Sequence, residues 1–184
     1  GWRADAAEET VPPLLHDDGV GGFAAHGREY VVRAGPDIPA PAAPWSNPLS
    51  NRDFGSVVDE RGQACTWSGT RAEQVSGAEA FYLRDEDSGA WWSPTPWPAP
   101  SGARYSTRHG FGYSAFTHRA HGIGSELRCF VAPDAPLKYC LLTLRNDSDA
   151  PRRLSATGVV DWVLDAPGAT PGLQVVTGAD LASG

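Results

Sequence analysis

Glycine and proline decide what this chain can become. Its 21 glycines and 16 prolines are not gathered into one linker. They fall between short apolar runs, where glycine supplies a positive φ and proline removes a ladder donor or ends a helix. No stretch keeps a helical period, so the chain reads as many short strands. Alternation places them at Gly22–Ala25, Glu29–Arg33, Gly55–Val58, Gln63–Trp67, Ala80–Arg84, Trp91–Ser93, Ala103–His109, Tyr113–His118, Gly122–Val131, Leu137–Asn146, Arg152–Leu164 and Leu173–Thr177. The expected fold is all-β, an antiparallel β-sandwich formed as one domain over residues 1–184.

The turns between the runs carry the pairing. Asp59-Glu60-Arg61-Gly62 and Glu86-Asp87-Ser88-Gly89 each end in a glycine able to take positive φ, so each should close a hairpin. Asn146-Asp147-Ser148-Asp149-Ala150-Pro151 is read the same way. It joins the two longest strands into a C-terminal hairpin, with Leu142, Leu144, Leu154, Ala156 and Val160 as one buried face. The stretch Ala34–Pro48 holds five prolines and Trp45. It cannot be a central strand and should cross the surface as an extended connection.

Charge and composition remove several function classes. Fifteen basic against 22 acidic residues give a net charge of −7, which offers nothing to neutralise a phosphate backbone, so nucleic acid is excluded as a partner. No run approaches the roughly 20 apolar residues of a membrane helix, and no leader precedes the first strand, so a soluble, cytoplasmic chain is expected. The C-terminal Leu181-Ala182-Ser183-Gly184 reads as a turn with no strand to follow; a piece of a longer protein fits that. Three cysteines, Cys65, Cys129 and Cys140, are too few for a secreted disulfide scaffold and read as reduced thiols. Cys129 and Cys140 flank the turn Pro133–Pro136 and can face one another across a hairpin. No CxxC, HxxxH or His/Cys cluster supports a metal site.

Aromatic residues offer the first chemistry. Trp67, Trp91, Trp92 and Trp97, with Tyr82, Tyr105 and Tyr113, could stack on sugar rings; in a sandwich the same rings more often fill the core. Arg84-Asp85-Glu86-Asp87 and Arg108-His109 could bind hydroxyls, or close turns as ion pairs. His109 and His121 sit beside glycines that let a ligand approach. No carboxylate pair, GxSxG elbow or GxGxxG loop marks an autonomous active site, so no catalytic residue and no cofactor is expected.

The longer motifs resemble a known family. Asp18-Gly19-Val20-Gly21-Gly22-Phe23, Gly27-Arg28-Glu29-Tyr30-Val31-Val32, Ala43-Pro44-Trp45-Ser46-Asn47, Asn51 with Phe54-Gly55, Thr66-Trp67-Ser68 and Tyr82-Leu83-Arg84-Asp85 are similar to glycoside hydrolase family 94, once called glycosyltransferase family 36. So are Trp92-Ser93-Pro94-Thr95, His109-Gly110-Phe111-Gly112-Tyr113-Ser114 and Val160-Asp161-Trp162-Val163-Leu164. The GGF and GREYVV pieces look most like cyclic β-1,2-glucan synthases and β-1,2-oligoglucan phosphorylases. Two departures stand out: a shortened loop after Thr66-Trp67-Ser68-Gly69, and Asp161 where the family's usual residue is Glu.

The resemblance implies a galactose-mutarotase-like β-super-sandwich whose parent also holds an (α/α)6 barrel. There an Asp protonates the glycosidic oxygen while inorganic phosphate, the co-substrate, attacks with inversion. It further implies a β-glucan oligosaccharide and the barrel as partners, a possible homodimer, and membrane attachment of the parent if that is a synthase. Carbohydrate-contact candidates in the matched motifs are Trp67, Arg71, Arg84, Asp85, Trp92, His109 and Tyr113. A stand-alone carbohydrate-binding module and a purely structural or oligomerisation domain are the competing expectations.

Overall fold

The computed structural model describes residues 13–69 and 73–163. Twelve strands run β1 (Gly21–Phe23), β2 (Glu29–Ala34), β3 (Ser46–Ser50), β4 (Phe54–Asp59), β5 (Ala64–Ser68), β6 (Glu73–Asp85), β7 (Trp91–Trp92), β8 (Tyr105–Gly110), β9 (Tyr113–Ala120), β10 (Ile123–Val131), β11 (Lys138–Asn146) and β12 (Leu154–Trp162). No helix occurs among the described residues. Sheet I has the order β1-β2-β8-β9-β10-β11; sheet II has β12-β6-β5-β4-β3, with β7 also on β6. Every pairing is antiparallel. The expected two-sheet sandwich is present.

Alternate residues of each strand face the partner sheet. Phe116, Leu127 and Cys129 of sheet I meet Leu49, Val58 and Ala64 of sheet II. A second cluster joins Leu83 and Trp92 to Ile123, and Leu142 packs against both. Polar ties also cross the interior. Lys138 on β11 reaches Glu79 on β6 at 2.7 Å and the Ser56 hydroxyl on β4 at 3.0 Å. Thr66 and Ser76 donate to the other Glu79 oxygen at 2.5 and 2.7 Å. Lys138 is 8% exposed and Glu79 11%. Burial alone would raise the Glu79 carboxyl, yet Lys138 and the hydroxyls hold it below its ordinary value.

The hairpins at Gly62 and Gly89 form with φ of 87° and 72°, joining β4 to β5 and β6 to β7. The expected C-terminal hairpin does not form. β11 pairs with β10, and β12 pairs with β6 in the other sheet, so residues 147–153 are an arch between sheets. Arg152 explains the geometry. It donates to the Asp85 carboxylate and, at 2.7 Å, to the His121 carbonyl, which pins the arch to a turn of each sheet. The proposed buried face divides accordingly: Leu142 and Leu154 pack against the core, while Leu144, Ala156 and Val160 are exposed.

Two further elements differ. β3 was not expected as a strand: residues 46–48 were assigned to a connection, and its place at the edge of sheet II is where a ladder tolerates Pro48. The strand expected at Ala80–Arg84 extends over Glu73–Asp85 because β5 and β7 pair with its two halves and β12 runs along its other side. The strand expected at Leu173–Thr177 lies outside the described residues.

Candidate functional site

The six candidate residues that fall among the described ones do not converge on one site. Trp92 is 1% exposed, packed on Leu83 and Ile123 with the His121 ring at 4.7 Å, and offers no face to a ligand. Asp85 is equally buried. Its carboxylate takes the Arg152 guanidinium and the backbone N–H groups of Asp87 and Ser88. Those bonds, Arg152's first, hold its pKa down at about 2. Arg84, beside it, is exposed and 3.8 Å from Glu86. Trp67 is half-buried on β5, its ring lying over Gly55 of β4. Arg71 lies outside the described residues.

His109 is half-buried and faces the interior. Its Nε2–H donates to the Trp45 carbonyl at 3.0 Å, so Nδ1 accepts from the Ser114 hydroxyl at 2.9 Å. Burial pushes its pKa down. Asn47 completes this tie, donating to the carbonyls of Gly110 and Tyr113 at 3.0 and 2.9 Å. The ring of Trp45 stacks on Tyr30 at 4.3 Å.

Tyr113 alone among the candidates stands on the outer face of sheet I, where register assembles a row of side chains. Gly110, Tyr113, Phe130 and Tyr139 are successive neighbours on β8 to β11. The Tyr113 ring lies across Gly110, where a Cβ would come within 2.5 Å of it, and its hydroxyl donates to Glu29 at 2.5 Å. Arg128 sits over that ring, 5.5 Å from the centroid. Phe130 and Tyr139 stack at 5.2 Å, and Tyr139 is 43% exposed. The next row carries Arg108 and Arg128, and the row after it Glu126, held between their two guanidinium groups at 2.8 and 2.9 Å.

This face carries a solvent-exposed aromatic ring and, one and two rows along it, a fixed array of donors and acceptors. Such a surface can stack on a pyranose ring and bond its hydroxyls. Tyr113, against Gly110 and under Arg128, is the floor of this face, and Tyr139, stacked on Phe130, is 43% exposed. Sequence reading missed Tyr139, Phe130, Arg128 and Glu126. Their signal was the alternation Glu126-Arg128-Phe130 along β10, which turns polar and aromatic groups to one side.

The described residues also form a half-open pocket of about 330 Å³ between the loops around 35–41 and 96–103. Pro36, Pro39, Pro41, Pro96 and Pro100 form much of its wall. Few polar groups converge in it, which does not suit a polyhydroxylated ligand. No group of His, Cys, Asp and Glu among the described residues could hold a metal ion.

Comparison with known proteins decides the family. Residues 28–174 match the family described as glycosyl hydrolase 94, supersandwich domain. The chain belongs to that family. As a supersandwich domain, it is 38% identical over 161 residues to the cyclic beta-(1,2)-glucan synthase NdvB of Rhizobium meliloti (strain 1021), covering 80% of this chain and 6% of that one. It is 30% identical over 158 residues to the N,N'-diacetylchitobiose phosphorylase of Vibrio furnissii, covering 77% and 19%. Solabiose phosphorylase of Paenibacillus borealis shares 32% over 90 residues, or 48% and 12%. This supersandwich domain therefore spans less than a fifth of the length of these relatives.

Proposed function

We propose that the chain is the non-catalytic, carbohydrate-associated β-sandwich of a β-glucan-active glycoside phosphorylase or cyclic β-1,2-glucan synthase. In this reading the reaction, its general acid and its inorganic phosphate belong to a helical barrel elsewhere in the parent. The observation that carries the reading is the outer face of sheet I. Tyr139 is 43% exposed there, and Arg128 and Glu126 are held in fixed positions further along the same face. A glucan chain leaving or entering the barrel would be held by ring stacking and by charge-assisted bonds to its hydroxyls.

Isothermal titration of the purified chain with linear β-1,2-glucooligosaccharides, and with cello-oligosaccharides as control, tests this. The expected result is saturable binding of the β-1,2 sugars that weakens about fivefold in Tyr139→Ala, since one stacked ring is worth about 1 kcal/mol, and by a similar factor in Arg128→Ala through the lost hydroxyl bonds. A folded chain indifferent to every glucan would overturn the glycan-contact role. A purely structural role would then stand, a reading favoured by the exposed Val160 and Trp162 of β12.

A further inference from the structure

Cys129 and Cys140 are direct partners across β10 and β11, and their Sγ atoms are 3.5 Å apart. Both are free thiols facing the interior; Cys129 is buried in the core cluster and Cys140 is half-buried against it. Opposed residues of an antiparallel pair keep their Cα atoms about 4.5–5.5 Å apart, within the span a disulfide bridges. Register therefore presents both sulfurs in the right place without moving a strand. The two thiols are not equivalent. The hydrogen bond to Cys129, helped by the Lys138 ammonium, lowers the Cys140 thiol against its own burial, while the bond to Cys140 and then burial push Cys129 up. Cys140 also sits on the edge strand of sheet I, the strand whose fraying admits a small reagent first.

We propose that Cys129 and Cys140 form a redox-active dithiol, closed by a small-molecule disulfide into a cross-strand bond that clamps the edge of sheet I. The Cys140 thiolate attacks one sulfur of oxidised glutathione, breaking its S–S bond and releasing one glutathione thiolate, which takes up the proton that Cys140 gave up. Cys129, deprotonated in turn, attacks the Cys140 sulfur of the mixed disulfide. The Cys129–Cys140 bond forms and the second glutathione leaves as its thiol. Two electrons pass from the protein to the oxidant, and two protons end on two reduced glutathiones.

The test uses the full chain carrying Cys65→Ser, equilibrated in graded mixtures of reduced and oxidised glutathione and quenched in acid. Intact mass and peptide mapping are read beside the thermal midpoint. The expected result is loss of the mass of two hydrogen atoms, a cross-link joining the peptides of Cys129 and Cys140, and a midpoint raised by several degrees that dithiothreitol returns to its starting value. Cys140→Ala should show no oxidant-dependent shift. The proposal is overturned if the folded chain stays fully reduced across the series, if oxidation stops at a glutathione adduct, or if closing the bond lowers the midpoint.

Discussion

His118 shows how a single ring can couple this fold to pH. It stacks on Tyr105 at 3.6 Å and 9°. Its Nδ1–H donates to the Arg104 carbonyl at 2.9 Å, and its Nε2 accepts from Ser101 at 2.8 Å. Burial holds the ring neutral down to about pH 4, below its ordinary 6.5. Above pH 6.5 the ring is neutral whether folded or not, and the fold keeps its full stability. As pH falls from about 6.5 to 4, the unfolded chain takes up a proton that the folded ring refuses, so stability declines. His109, also lowered by burial, adds the same sign. Urea midpoints measured across this range should fall with acid, and His118→Gln should flatten the slope even where it lowers the midpoint at neutral pH. The motif residues carry a related lesson. Asn47, Asn51, Asp85 and His109 lie in recognisable motifs, and each turns out to satisfy backbone groups at a turn or between sheets. A motif records a need for a residue type without saying whether ligand or backbone imposes it.

Among the elements, the β4–β5 pair shows why a glycine can be as demanding as a side chain. Gly55 and Trp67 are direct partners, and a Cβ at Gly55 would come within 2.3 Å of the indole. Gly55→Ala must displace the ring or part the strands, and it should cost about 1–3 kcal/mol in chemical denaturation. Strand positions were legible in the sequence because alternation and turn glycines are local signals. The arch at 147–153 was not, because Asn146–Pro151 reads as a turn whether the next strand joins the same sheet or crosses to the other. What separates the two outcomes is Arg152 reaching Asp85, 67 residues back along the chain, and no local pattern shows it. Pro48 likewise argued against a central strand and was silent about an edge.

At the scale of the whole molecule, the sandwich is unevenly closed. Val160 is the register partner of Glu79, whose side chain points inward to Lys138, so Val160 also faces the interior side of sheet II. It is nonetheless 38% exposed, with Trp162 at 54% and Leu144 at 36%. Much of the exposed large apolar surface of the described residues lies on β11 and β12, and each of these is an edge strand. Edges of this kind invite pairing with another chain. Val160→Lys should reduce concentration-dependent self-association, measured by light scattering, while leaving the unfolding free energy within about 0.5 kcal/mol. Short antiparallel strands were readable from the glycine and proline punctuation, and the sandwich from the family motifs; which edge stays open depends on crossovers, which neither encodes.

Lys138 has a practical consequence of another kind. It is the sole lysine of 184 residues, and its ammonium is enclosed between Glu79 and Ser56. Amine-directed reagents such as succinimidyl esters therefore find no lysine on the native surface and must wait for β11 to lift away. Acylation of this one side chain, followed by mass spectrometry, would serve as a built-in clock for the opening of the sandwich.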